Sequence, residues 1–246
     1  MTNESESMPQ KQVDLLYHLL RVTHTMDKDT RETIYGLAGH ILKKSNYASL
    51  AQYLDFYGNT YLLPQMIEFL NSCGFVGTSQ IYDLGSGTGW AGAGIARHYG
   101  TKAVLVDKRS LVLLRYSEEG YETLLVDLEH QSGVTSLLDS ITSAGSADLV
   151  VICDTLHCLD NPKKLVEQLK DIAPILILEY VAQANDLWRK SYAQQLHNYG
   201  AQSFDSNYIL SMVESVYEEP AHGPHTRPQT RVKYELAEPY IMIYAR

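Results

Sequence analysis

Cysteine is scarce: the chain has three, Cys73, Cys153 and Cys158, and no Cys-x-x-Cys pair. A disulfide scaffold is therefore excluded as the source of stability, and reduced thiols in a cytoplasmic protein are expected. Long apolar runs are also missing, and none approaches the roughly 20 residues that cross a bilayer. The first residues, MTNESESMPQKQ, are polar and lack an apolar stretch, so neither a signal peptide nor a transit peptide is expected. Basic residues are outnumbered, 20 Lys and Arg against 29 Asp and Glu, and no basic cluster exceeds a pair such as Lys43-Lys44 or Lys163-Lys164. Nucleic acid and anionic membrane are held mainly by neutralising phosphates, so both are disfavoured as partners. A small-molecule substrate is expected, with a monomer or a homodimer as the assembly. Phe is short too, 4 against 18 Tyr, which gives Tyr most of the aromatic packing, its hydroxyl reaching water or a carbonyl.

What is present falls into two parts. Over roughly the first 75 residues apolar side chains recur at helical spacing: Val13, Leu16, Tyr17 and Leu20; then Ile34, Leu37, Ala38, Ile41 and Leu42 after a capping-box-like Asp29 and Glu32; then Leu50, Tyr53, Leu54 and Tyr57. Gly58-Asn59 breaks the pattern. A further helix is expected from Thr60, with Pro64 in its first turn and Met66, Ile67 and Leu70 facing inward. None of these helices can hide its apolar face alone, so residues 1–77 are read as a helical extension that packs on something else.

From residue 78 the pattern becomes short apolar runs alternating with helices. Gln80–Leu84, Ala103–Val106, Thr123–Val126, Leu149–Cys153 and Ile175–Leu178 lack polar alternation, as expected of strands in a parallel sheet covered on both faces. Ala91–His98, Ser110–Glu119, Val134–Ser143 and Pro162–Ile172 are the intervening helices, and Asp186–Tyr199 and Ser206–Met212 follow the fifth strand. The tail, Arg231–Leu236 and Tyr240–Tyr244, is read as an antiparallel edge pair, with Val216–Glu218 as an alternative partner for the last strand. The predicted fold is α/β: a Rossmann-like, doubly wound, mostly parallel seven-stranded sheet with an antiparallel edge, spanning 78–246.

The chemistry gathers at strand ends. In Asp83-Leu84-Gly85-Ser86-Gly87-Thr88-Gly89 a strand runs into a glycine turn and a helix, a place where ligands lie against backbone. A dinucleotide fingerprint needs glycine at position 90, which is Trp90, and Asp83 sets a carboxylate beside the loop, favouring a ligand with a cation. Asp107, 18 positions past Gly89, is placed to accept both hydroxyls of a ribose, with Lys108 beside it. Asp127 and Leu128 end the third strand, placed for an adenine amine and ring. Asp154, Thr155, Leu156, His157 and Cys158 follow the fourth strand, and Glu179 and Tyr180 end the fifth.

The series IYDLGSGTGW, LVDKR, LVDLE and ADLVVICDTLHCLDNPKKLVEQL resembles the class I S-adenosylmethionine-dependent methyltransferases, over roughly residues 78–180 and in that family's order. The resemblance implies S-adenosylmethionine as cofactor. Gly85, Ser86, Gly87 and Gly89 would line its methionine part, Asp83 would sit near its amino group, Asp107 would hold the ribose, and Asp127 with Leu128 the adenine. The fourth-strand segment resembles the family's polar residue followed by Leu-His-His, with Cys158 in place of the second histidine. Asp154 would touch the cofactor or the reacting amine or hydroxyl. His157 is read either as a general base, its ordinary pKa of about 6.5 suiting that role, or as a structural residue; Tyr180 completes the catalytic candidates. Extensions such as 1–77 often fold over the cofactor in this family, which would bring Tyr57 and Tyr61 to the sulfonium, where a cation-π contact is worth about 1–2 kcal/mol.

The activity implied is methyl transfer to a small-molecule nitrogen or oxygen. Two other readings stand beside it: cyclisation of S-adenosylmethionine with release of methylthioadenosine, as in azetidine-2-carboxylate synthases, and a non-catalytic cofactor-binding or scaffolding subunit. His222 and His225 form a His-x-x-His in a polar loop without a further ligand, so no metal site is expected.

Overall fold

The structure, a computed structural model, describes residues 58–77, 79–110, 113, 117–145, 147–181, 204–217, 232–237 and 240–246. The helical readings before residue 58, the helix at 186–199, the His222–His225 loop and Tyr57 lie outside the described residues, as do the side chains of Tyr61 and Tyr180.

The central sheet has seven strands: β1 (Gln80–Leu84), β2 (Lys102–Asp107), β3 (Glu122–Leu125), β4 (Leu149–Cys153), β5 (Ile175–Tyr180), β6 (Val232–Ala237) and β7 (Tyr240–Ala245). Their spatial order is β3-β2-β1-β4-β5-β7-β6. Pairings among the first five are parallel, and β7 runs antiparallel to both β5 and β6. The predicted antiparallel pair is therefore present at that edge, with β7 inserted next to β5. The order reverses direction between β1 and β4, the switch point at whose carboxyl end ligands of open α/β sheets bind.

Successive strand residues feed two cores, as the pleat requires. Tyr82, Leu84, Val104, Val106, Val150, Ile152, Ile175 and Ile177 face one side. They are covered there by α3 (Gln131–Ser143), α4 (Pro162–Leu169) and α5 (Ser206–Tyr217). Ile81, Leu105, Leu149, Val151, Leu176 and Leu178 face the other, covered by α1 (Leu63–Ser72) and α2 (Trp90–Tyr99). Burial on both sides is why these strands are continuous aliphatic runs. Helical residues at 110, 113, 117 and 118 stand between β2 and β3, where Ser110–Glu119 was read as a helix.

Local signals explain several element ends. Asn161 caps α4, its Oδ1 accepting from the Lys164 N–H at 3.2 Å, and Pro162 fills the first helical position. The helix stops at Leu169, short of the predicted Ile172, whose N–H turns back to the Leu169 carbonyl. Val216, offered above as part of a strand, is helical: Ile209, Met212, Val213, Val216 and Tyr217 form one buried stripe, and α5 runs on to complete it.

The helix expected before Gly58 lies outside the described residues; from Gly58 a π-helical turn, Gly58–Leu62, leads into α1. A Cβ on Gly58 would stand 2.2 Å from Cδ2 of Trp90, so glycine is there to admit the indole. Met66 and Leu70 of α1 are fully buried as expected, Phe69 joins them, and Ile67 is half-buried. Among the described residues no helix is long and apolar enough to cross a membrane, and the three cysteines are free thiols.

Candidate functional site

The β1–α2 turn is built from left-handed backbone. Gly85, Gly87 and Gly89 have φ of 68°, 53° and 71°, a region costly for residues with a Cβ. At Gly85 a Cβ would also lie 2.5 Å from Thr155 Oγ1. At Gly87 the nearest contact is an ordinary 3.7 Å to Arg109 Nη2, so space is not what its backbone demands. Ser86 donates its N–H to the Val106 carbonyl at 2.9 Å, while its buried Oγ has no hydrogen-bond partner among the described residues. A buried hydroxyl without a partner is uncommon in a folded chain.

Asp83 is 1 % exposed, and its Oδ2 accepts the Gly92 N–H in the first turn of α2 at 2.9 Å. Burial pushes its carboxyl up to about 7, partly offset by that bond and reinforced by the charge of Asp107. The carboxylate thus holds the helix that follows the glycine turn.

Asp107, at the tip of β2, is also buried, but it is richly bonded. Its Oδ1 accepts from Arg109 N and Nε, each at 2.9 Å, and its Oδ2 accepts from Arg109 Nη2 at 2.9 Å and Gly87 N at 3.0 Å. Burial opposes the charge, yet the guanidinium and the two N–H groups hold the carboxyl below its ordinary range. Lys108, named with Asp107 from the sequence, pairs with Glu129 at 3.0 Å, both side chains exposed. Asp127 is partly exposed at the end of β3, its Oδ1 accepting from Glu129 N at 3.1 Å, and Leu128 packs against the core.

Asp154 follows β4 with φ 48°, the one positive value at a residue other than glycine among those described. Its N–H donates to the Leu178 carbonyl of β5 at 2.8 Å. Thr155 stitches the two strand tips together, its Oγ1 lying 2.9 Å from the Cys153 carbonyl and 3.1 Å from that of Leu84. The 3-10 turn Leu156–Cys158 carries the next pair. Glu179, wholly buried on β5, takes His157 Nδ1 on Oε1 and the Leu156 N–H, at 3.0 Å, on Oε2.

Burial disfavours charge on the His157 ring, but the facing Glu179 carboxylate outweighs it and, with Cys158 and Asp154, raises the pKa to about 11. The raised pKa favours the protonated ring, which pairs with Glu179 and ties the turn to β5. Ligand atoms of Asp154, His157 and Glu179 lie within 4.8 Å of one another, although both Glu179 oxygens are already engaged.

The structure therefore brings the glycine turn, Asp107 and Asp154 onto the adjacent tips of β1, β2 and β4, with Asp127 one strand further out. Tyr61 contributes backbone to the π turn, and Tyr180 contributes backbone to β5 opposite Tyr240. The sequence reading does not single out Arg109, and it names Thr155 and Glu179 without their contacts to the β1 and β4 tips and to His157. Arg109 had a signal, since a cation two residues past a strand-end acid can fold back on it; the other two contacts join positions far apart in the chain.

No protein-family model matches the sequence, and no curated protein does. The coordinates resemble solved structures. An O-methyltransferase family protein from Burkholderia thailandensis is 13 % identical, with 81 % of this chain and 58 % of that one covered and a TM-score of 0.54. An S-adenosylmethionine-dependent methyltransferase from Aquifex aeolicus is 14 % identical, with 80 % of this chain and 96 % of that one covered and a TM-score of 0.52. The chain thus spans little more than half of the first protein and nearly all of the second. It has the fold of the class I S-adenosylmethionine-dependent methyltransferases.

Proposed function

We propose that the chain is an S-adenosylmethionine-dependent methyltransferase that acts on a nitrogen or oxygen of a small molecule. The observation that carries the reading is a conjunction at the tips of β1 and β2. Three left-handed glycines surround a buried, unpartnered Ser86 hydroxyl, and the loop's Gly87 N–H holds the carboxylate of Asp107. That donor and acceptor set fits a ligand with a polar tail against the turn and a ribose against β2.

On this reading Gly85, Gly87 and Gly89 line the methionine part with backbone, and Ser86 supplies its free hydroxyl. Asp83 acts beside the amino group from below, through the start of α2. Asp107 takes the ribose, while Asp127 and Leu128 take the adenine amine and ring, with Lys108 at the rim. S-adenosylmethionine supplies a methyl group already activated by its sulfonium, so the chain's main task is alignment, which can contribute several kcal/mol. Asp154 faces the switch point from β4 and accepts a hydrogen bond from the attacking amine or hydroxyl. His157 and Glu179 fix the turn that carries it. Tyr180 ends β5 on the same side, and residues 1–77 extend over the 78–246 core as a cover, with Tyr57 and Tyr61 toward the sulfonium.

The test is to incubate purified protein with S-adenosylmethionine alone and then with a metabolite extract, identifying the nucleoside product by mass spectrometry. S-adenosylhomocysteine formed only with extract supports the reading. Methylthioadenosine formed without any acceptor replaces it with cyclisation, and binding without turnover in extract replaces it with a non-catalytic subunit.

A further inference from the structure

Asp107 has no acceptor capacity to spare. A carboxylate offers about four lone-pair sites, and the four are taken: Arg109 N and Nε on Oδ1, Gly87 N and Arg109 Nη2 on Oδ2. Two of the donors are backbone, Gly87 N in the glycine turn and Arg109 N just past the end of β2. The other two come from one guanidinium, one to each oxygen, in the planar fork that matches a carboxylate.

The vicinal hydroxyls of a ribose would approach the same carboxylate in the same way, one O–H to each oxygen. We propose that Arg109 is a latch on Asp107: its guanidinium holds the two acceptor positions that a ribose diol requires, and a nucleoside enters only by exchange with it. This rests on the reading of Asp107 as the ribose carboxylate.

The surroundings favour exchange. The Arg109 side chain is 41 % exposed whereas that of Asp107 is 4 % exposed, so the cation can swing into water. The carboxylate cannot follow, and without the fork it keeps only its two backbone donors. It is left needing two O–H groups, which a ribose brings and a 2′- or 3′-deoxyribose does not. Arg109 thus raises the discrimination against ligands that lack the diol, because they release the guanidinium without replacing both of its bonds. Nη2 lies 3.7 Å from the position of a Cβ on Gly87, which puts the latch over the glycine turn as well as over the acid.

The probe is S-adenosylhomocysteine, titrated by calorimetry into the wild-type chain, Arg109→Ala, Arg109→Lys and Asp107→Ala. A latch closed about nine-tenths of the time raises the apparent Kd about tenfold. Arg109→Ala is therefore expected to bind up to about tenfold tighter, Arg109→Lys to lie between, because an ammonium cannot span both oxygens, and Asp107→Ala to lose binding. In the wild type the Arg109 Nε–H resonance should be protected before titration and exchange freely after it.

Weaker or unchanged binding in Arg109→Ala, with binding lost in Asp107→Ala, overturns the latch and leaves the ribose reading standing. Unchanged binding in Asp107→Ala, or no binding by any of the four proteins, overturns both. Should Arg109→Ala fail to fold, Arg109→Lys and the Nε–H signal decide alone: a Kd no lower than wild type with an unchanged signal overturns the latch.

Discussion

The His157 ring and the Glu179 carboxylate form an ion pair beneath the Asp154 turn, with His157 5 % exposed and Glu179 fully buried. A charge taken out of water is tolerable only with its partner, and here each ion has one within hydrogen-bond reach. The second Glu179 oxygen holds the Leu156 N–H, so one carboxylate fixes both the backbone and the side chain of the turn.

Breaking that pair from one side should be costly. Glu179→Gln is expected to lower unfolding stability by about 3–5 kcal/mol, read from urea denaturation, with His157→Gln in the same background recovering part of the loss. A single Glu179→Gln variant as stable as the wild type would refute the pairing.

The same pair gives stability a pH dependence at the alkaline end. Between about 6.5, the ordinary histidine value, and about 11 the native chain keeps a proton that the unfolded chain has released. Its contribution is complete below about 6.5 and is lost as the pH rises toward 11. Thermal unfolding at pH 7 to 10 should therefore show a steeper decline in the wild type than in His157→Gln; parallel curves would count against it.

Asp83 contributes on the acid side with the same sign. Its carboxyl moves from 3.8 to about 7, so between those values the native chain holds a proton that the unfolded chain lacks. Stability falls as the pH rises through that window. Asp83→Asn keeps an acceptor for the Gly92 N–H and removes the titration, so a difference curve against the wild type should slope between pH 4 and 7 and level off above it.

Two glycines of the turn should behave differently. Gly85→Ala meets Thr155 at 2.5 Å on top of its left-handed backbone, and a loss of about 2 kcal/mol or more is expected. Gly87→Ala meets nothing closer than 3.7 Å and carries mainly the backbone strain, about 1 kcal/mol. With the turn serving a ligand, Gly87→Ala should still weaken S-adenosylhomocysteine binding, whereas equal affinity in wild type and variant would remove Gly87 from the binding surface.

The tyrosines near the π turn are tested by function alone. Tyr57→Ala and Tyr61→Phe are expected to weaken cofactor binding or turnover, and unchanged values for both end their role as a cover.

The sequence made the sheet legible because its strands are buried on both faces. Gln80–Leu84 and Leu149–Cys153 carry unbroken apolar character, and their observed bounds agree with the expected ones. The strand-end acids were legible by position, since a carboxylate at the tip of β1, β2, β3 or β4 has few places to point. What each one touches was not. Asp107 is bound by a residue two positions on, Glu179 by one 22 positions back, and Gly58 is shaped by an indole 32 positions ahead. Local spacing carries no record of the partners of Glu179 and Gly58, while the Arg109 fork on Asp107 leaves one trace, a cation two residues past the acid.

The insertion of β7 between β5 and β6 sets an order of assembly. Among the described residues β6 pairs with β7 alone, so while the chain emerges from the ribosome β6 waits for that partner until β7 follows it. The two can then zip as a hairpin within about 1–10 μs and dock on β5 as one piece. Until that moment the outer side of β5 is an open template, and an extended segment of another chain could pair there. Crowding during synthesis is thus a hazard for this edge of the sheet, while the opposite edge, built of strands paired in sequence order, closes early.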